Sequence, residues 1–249
     1  MELNFLGRGA AFNQKEGNNS AYFISNNQLF LIDCGENIFE RIIRINLLDG
    51  IENINLMITH THSDHIGSLG SLVLYCYYEL HMPLNIIIPE NAKYLADILS
   101  LLNIFGCTKS MYSYIDERKL DNKYDAFKDF RYIETSHCDE LNCYGLLFTT
   151  EEGIVYYSGD TNETNIIKSL ILSGQPIDKV YIDTTTADFS GNVHLNINIL
   201  EKTISNELKK KVYCMHFNNV DCIDEATKIG FNVVQNITDK NYVKCKKRW

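Results

Sequence analysis

The chain has 249 residues, of which 45% are hydrophobic and 22% charged, with a formal net charge of -9. That length supports one large domain with a sizeable core, so a single domain over residues 1–249 is expected. The acidic balance argues against a broad face for long nucleic acids, which are met with clustered Lys and Arg.

The first residues lack the basic and apolar regions of a secretory leader, and no stretch offers the roughly eighteen apolar residues of a membrane span. A soluble cytoplasmic protein with no membrane partner is therefore expected. Eight cysteines are scattered without a C-x-x-C pair, which fits reduced thiols.

Residues 2–6 suggest an edge strand, and Gly7-Arg8-Gly9-Ala10-Ala11 a loop whose glycines allow close backbone approach. No strand–turn–helix unit follows, so this is not a dinucleotide fingerprint. Residues 21–24 and 29–32 read as a hairpin around Ser25-Asn26-Asn27-Gln28, ending in Asp33-Cys34-Gly35-Glu36. Apolar residues at Ile38, Ile42, Ile45 and Leu48 predict a helix over 37–48. A strand over 55–58 then delivers His60-Thr61-His62-Ser63-Asp64-His65, and a helix over 67–79 follows.

A strand over 84–88 and a helix over 91–102 come next. Tyr112 and Tyr114 alternate with serines in an extended segment where packing outweighs base stacking. A strand over 130–133 leads to His137, and a hairpin over 145–150 and 154–158 ends at Asp160. After a helix over 162–172, a strand over 179–182 enters Asp183, and His194 precedes a helix carrying Ile199, Leu200 and Ile204. The strand over 212–215 presents His216, and a short helix over 224–229 with edge strands closes the chain. The basic runs 209–211 and 244–248 read as solvated surface, and no internal repeat is visible.

Three of the seven histidines fall within six residues, spaced His-x-His-x-Asp-His, a density of metal ligands that function explains better than packing. His137, Asp160 and His216 each follow a different predicted strand, and one layered fold can bring such ends to a single edge. His60, His62, His65, His137 and His216 with Asp64 and Asp160 make five imidazoles and two carboxylates, enough for two metal ions sharing a ligand. Cys138, next to His137, is a weaker candidate for a zinc ligand, because mixed Cys–His sites usually show closer Cys pairing.

With these motifs in this order, the sequence resembles the metallo-β-lactamase superfamily. The resemblance implies an α/β fold, an αββα four-layer sandwich with metals at the sheet edge. It assigns His60, His62 and His137 to a first metal, Asp64, His65 and His216 to a second, and Asp160 to a bridge. Two zinc ions per subunit are the first choice for so many imidazoles, with manganese or iron as alternatives. Asp64 would take the proton of an attacking water and His194 would protonate the leaving oxygen.

Within the superfamily the chain is similar to tRNase Z-like phosphodiesterases, through Phe5 to Ala11, Asn18-Asn19-Ser20 and Leu31 to Glu36. Thr185 to Asn196 resembles their proton-donor segment, with Asn196 in place of a threonine and Asp183 where a glutamate is usual. Only 22 residues separate His137 from Asp160, where tRNA-processing members insert a long arm. The compact cyclic-nucleotide phosphodiesterases with which phages degrade CBASS signals fit that gap. The resemblance implies hydrolysis of 3′,5′-cyclic mono- and oligonucleotides to linear products by a homodimer, in the host cytoplasm if the source is viral. Asn19, Tyr112 and Tyr114 are the candidate substrate contacts, the tyrosines reaching across a dimer. A tRNA 3′-endonuclease, a lactamase- or thioesterase-like hydrolase and a nucleotide sponge without turnover are the competing readings.

Overall fold

Alternation of side chains along the strands decides the layering. In the strand Ile154–Tyr157, Val155 and Tyr157 join one buried cluster while Ile154 and Tyr156 join another. Successive side chains of a strand point to opposite faces, so this strand is covered on both sides. The computed structural model describes residues 1–90, 92–120 and 125–237; the basic run 244–248 and Cys245 lie outside them.

One sheet holds β1 (Asn4–Gly7), β2 (Ser20–Ser25), β3 (Gln28–Ile32), β4 (Asn53–Met57), β5 (Leu84–Ile88) and β6 (Tyr112–Asp116), in that order. The second holds β7 (Asp129–Thr135), β8 (Cys143–Thr149), β9 (Ile154–Tyr157), β10 (Ile177–Asp183), β11 (Val212–Met215) and β12 (Asn232–Val233). In each sheet the first two pairings are antiparallel and the remaining three parallel. The repeat absent from the sequence is thus present in the topology.

Helices α1 (Ile38–Arg44), α2 (Ser63–Ile66), α3 (Leu69–Tyr78) and α4 (Leu95–Ile104) follow strands of the first sheet. Helices α5 (Asn165–Leu172), α6 (Ile197–Thr203), α7 (Asn206–Lys209) and α8 (Val220–Ile229) follow strands of the second. Ile167, Leu200, Cys222 and Ala226 pack on Ile154, Val180 and Val212 to form the core outside the second sheet. Between the sheets, Phe23 and Phe30 stack at 4.7 Å and Phe148 meets Phe23 edge-on at 5.8 Å. Among the described residues no helix is long and apolar enough to cross a membrane.

The helix expected over 37–48 stops at Arg44 because Asn46 takes a left-handed backbone, φ 51°. The helix expected over 67–79 begins at Leu69, and a separate single turn, α2, precedes it. Four residues are too few for apolar periodicity to register.

Parallel strands send their C-terminal ends to the same side, which is where open α/β sheets hold their sites. Asp33 follows β3, His60 follows β4, Asp160 follows β9, and His216 follows β11. Asp183 is the last residue of β10.

The aromatic layer is expected to carry much of the stability. Phe148→Ala, at a fully buried position, should cost about 3–5 kcal/mol in denaturant unfolding.

Candidate metal centre

The loop from β4 into α2 turns His60 inward, while His62 stands at the start of the turn that carries Asp64 and His65. His60 Nε2 lies 2.9 Å from His62 Nδ1, and His137 Nε2 lies 3.3 Å from the same atom. The opposite nitrogens fix the tautomers of two of these rings. His137 Nδ1 donates to the Val193 carbonyl at 2.9 Å, and His60 Nδ1 donates to Thr59 Oγ1 at 3.1 Å. Both Nε2 atoms therefore present lone pairs to His62, whose single proton could satisfy only one.

A second group lies beside it. Asp64 Oδ2 is 3.4 Å from His65 Nε2 and 3.5 Å from His216 Nε2, and Asp160 Oδ2 is 3.4 and 3.3 Å from the same nitrogens. Asp160 Oδ2 also lies 3.9 Å from His60 Nε2 and 3.7 Å from His137 Nε2, so one oxygen borders both groups. His65 Nε2, His216 Nε2 and Asp160 Oδ1 are buried without a hydrogen-bond partner. Donors about 2.0–2.1 Å from a tetrahedral zinc stand roughly 3.3 Å apart, which matches these spacings. Converging buried nitrogen and carboxylate atoms, several of them without a hydrogen-bond partner, fit divalent metal ions.

Behind the donors stand two buried carboxylates. Asp33 Oδ2 accepts from His65 Nδ1 and from Thr59 Oγ1, both at 2.8 Å, and Asp33 Oδ1 accepts from the Thr59 amide at 2.8 Å. Asp183 Oδ2 accepts from His194 Nδ1 at 2.7 Å and from the Thr161 amide at 3.0 Å, and Asp183 Oδ1 lies 3.4 Å from His216 Nδ1. Such partners orient metal-binding imidazoles and raise their basicity. Asp33 and His216 both hold left-handed backbones, φ 62° and 59°, each costing about 1–3 kcal/mol elsewhere and typical of functional sites.

The electrostatics favour positive charge at the second group and neutrality at the first. Burial works against a charged His216, yet Asp160 and Asp183 outweigh it and push the imidazole up to about 10. Burial and the neighbouring His65 hold His60 well below its ordinary value, leaving it a neutral donor. Burial opposes the charge on His194 as well, but Asp183 prevails and raises it.

His194 lines a cavity of about 500 Å³ together with His62, Asp64, His137, Asp160 and His216. Its Nδ1 is committed to Asp183, so Nε2 is the nitrogen left for a ligand. Asn196 caps α6 through the Asn198 amide and donates to the Ala187 carbonyl, which shapes the loop that holds His194. Cys138 Sγ sits 4.0 Å from His62 Nε2, outside both donor groups.

The three candidate substrate contacts lie elsewhere in the chain. Asn19 is buried, its Nδ2 donating to Tyr157 Oη at 2.8 Å. Tyr112 is buried and Tyr114 half-exposed on β6, the edge strand of the first sheet, and none of the three lines the cavity. The orienting role of Asp33 was not expected. Its signal was a carboxylate placed directly after the apolar run Leu29 to Ile32.

The family model described as "Anti-Pycsar protein Apyc1" matches residues 1–236. The anti-Pycsar protein Apyc1 of Bacillus phage 010DV004 is 28% identical, covering 92% of this chain and 93% of its own. A ribonuclease Z of Methanococcus maripaludis is 39% identical over 104 residues, 41% of this chain. Among solved structures, the metallo-β-lactamase fold protein YhfI from Bacillus subtilis superposes with a TM-score of 0.67 at 16% identity, covering 93% of this chain and 94% of its own. A diphosphatase of the PhnP family gives 0.69 at 16% identity, with 94% of each chain covered. Human tRNase Z, short form, gives 0.64 at 18% identity, covering 95% of this chain and 97% of its own. These superpositions identify the two-sheet architecture as the metallo-β-lactamase fold. The match over 1–236 shows that the chain belongs to the Anti-Pycsar protein Apyc1 family.

Proposed function

We propose that this chain is a two-metal phosphodiesterase that opens 3′,5′-cyclic mono- and oligonucleotide messengers to linear products in the host cytoplasm. The observation that carries the reading is Asp160 Oδ2, bordered by imidazole nitrogens of both donor groups, beside a cavity that His194 also lines. When bound, two divalent ions there supply Lewis acidity for a phosphoryl oxygen and lower the pKa of water. His60, His62 and His137 would hold one ion and Asp64, His65 and His216 the other, with Asp160 shared by the two groups; zinc suits the imidazoles, with manganese or iron as alternatives.

Asp64 accepts the proton of the attacking water as its oxygen bonds to phosphorus. The bond from phosphorus to O3′ breaks, and O3′ takes its proton from His194 Nε2. Asp183 accepts from His194 Nδ1 and stabilises the imidazolium that carries the Nε2 proton. The family description supports a Pycsar messenger as substrate, and the CBASS oligonucleotides form a second substrate class. The tRNA 3′-endonuclease reading is disfavoured because the residues between His137 and Asp160 are taken up by the β8–β9 hairpin. A homodimer belongs to the same proposal, and light scattering should give twice the monomer mass.

Metal-loaded protein is expected to linearise members of a panel of cyclic mono-, di- and trinucleotides. No turnover of any member sinks the reading, as does preferential cleavage of precursor tRNA, a lactam or a thioester. Recovery of intact, tightly bound nucleotide would point to a sponge instead. Activity should fall to background in His62→Ala and Asp64→Ala.

His194→Ala should lose about 10² to 10⁴-fold on cyclic nucleotides and far less on bis(p-nitrophenyl) phosphate, whose leaving group needs no proton. Equal losses on both substrates would remove the proton-donor role. Asp33→Asn should weaken zinc retention about 10- to 100-fold in chelator competition. Chelation of the wild type should lower its melting temperature, and added zinc should restore it.

A further inference from the structure

The loop between β1 and β2 presents Phe12 almost wholly to solvent, 97% exposed, at the wall of the cavity that holds the metal donors. A lone exposed aromatic on a surface needs no explanation. Phe12 differs because its loop is fixed to the metal centre. The Ala10 amide and Asn13 Nδ2 both donate to the Phe217 carbonyl, at 3.0 and 2.9 Å, and the Phe217 amide donates to the Arg8 carbonyl at 2.8 Å. Phe217 directly follows His216. The loop is braced from within as well, by Gly9 N to the Gly17 carbonyl at 2.7 Å and by Arg8 Nε to Glu16 at 2.8 Å. A Cβ on Gly9 would stand 2.8 Å from the Asn13 carbonyl oxygen, so only glycine lets the loop fold back this tightly.

The backbone that carries the ring is therefore tied to the segment that follows His216. Among the described residues no Lys or Arg lines the cavity, and Glu36, Asp64 and Asp160 there leave anionic recognition to the metal positions. Ala10, Ala11 and Phe12 form an apolar strip on the same wall. A nucleotide whose phosphate sits at the donors has one large apolar face left to cover, that of its base. We infer that Phe12 is the base-stacking platform of this site, so that it sets how tightly the nucleobase end of the substrate is held. The inference rests on the phosphodiesterase reading above.

Stacking on an aromatic ring accepts any base, and its loss weakens binding without touching the chemistry. In metal-loaded full-length protein, Phe12→Ala should raise KM for the best cyclic nucleotide roughly 5- to 100-fold with kcat little changed. Phe12→Trp should restore it. Ribose 3′,5′-cyclic phosphate, which has no base, should be hydrolysed equally by wild type and Phe12→Ala. An unchanged KM in Phe12→Ala overturns the inference and leaves the phosphodiesterase reading intact. So does an equal loss on the base-free substrate, which would mark Phe12 as structural. Failure of the wild type on every cyclic nucleotide overturns both.

Discussion

Lone pairs that face one another in a dry site are tolerated only around positive charge, and this fold brings a large number of them to one edge. His60, His62 and His137 turn nitrogens together within 3.3 Å of His62 Nδ1, while Asp64, Asp160, His65 and His216 do the same alongside. Burying such groups unpaired costs several kcal/mol each, so the arrangement is a device for holding cations and not a stabilising core. Everything near it serves that end. Asp33 and Asp183 set ring orientation from behind, the Val193 carbonyl fixes His137, and two strained residues are held in place by what surrounds them.

The strands were largely legible, and so was the gathering of His and Asp at their ends, because both obey local rules. Apolar runs leading into His or Asp marked β4, β9 and β11, and the strand over 84–88 matched β5 to the residue. What escaped was set by contacts far apart in sequence. Asp33 gains its role from Thr59 and His65, and nothing around it distinguishes an orienting carboxylate from a turn residue. Asn19 was expected as a substrate contact, yet tertiary packing places it against Tyr157 and Met215. Phe12 directly follows the glycine loop Gly7 to Ala11, and only the bonds from its loop to Phe217 mark it out.

The mixed lining of the cavity matters for selectivity. It combines the His and Asp donors, His194 and acidic side chains with the apolar Ala10, Ala11 and Phe12 of the first loop. A substrate that offers charge at one end and a flat ring at the other suits both kinds of lining, whereas a long polyanion meets no Lys or Arg among the described residues of the cavity.

The matching order of pairings in the two sheets has a further consequence. His60, His62, Asp64 and His65 come from the first half of the chain, and His137, Asp160 and His216 from the second. Each donor group draws on both halves, so neither half alone supplies a complete set. A cation held by such a set would close a long stretch of chain without a covalent bond, and its binding would be coupled to the docking of the two halves.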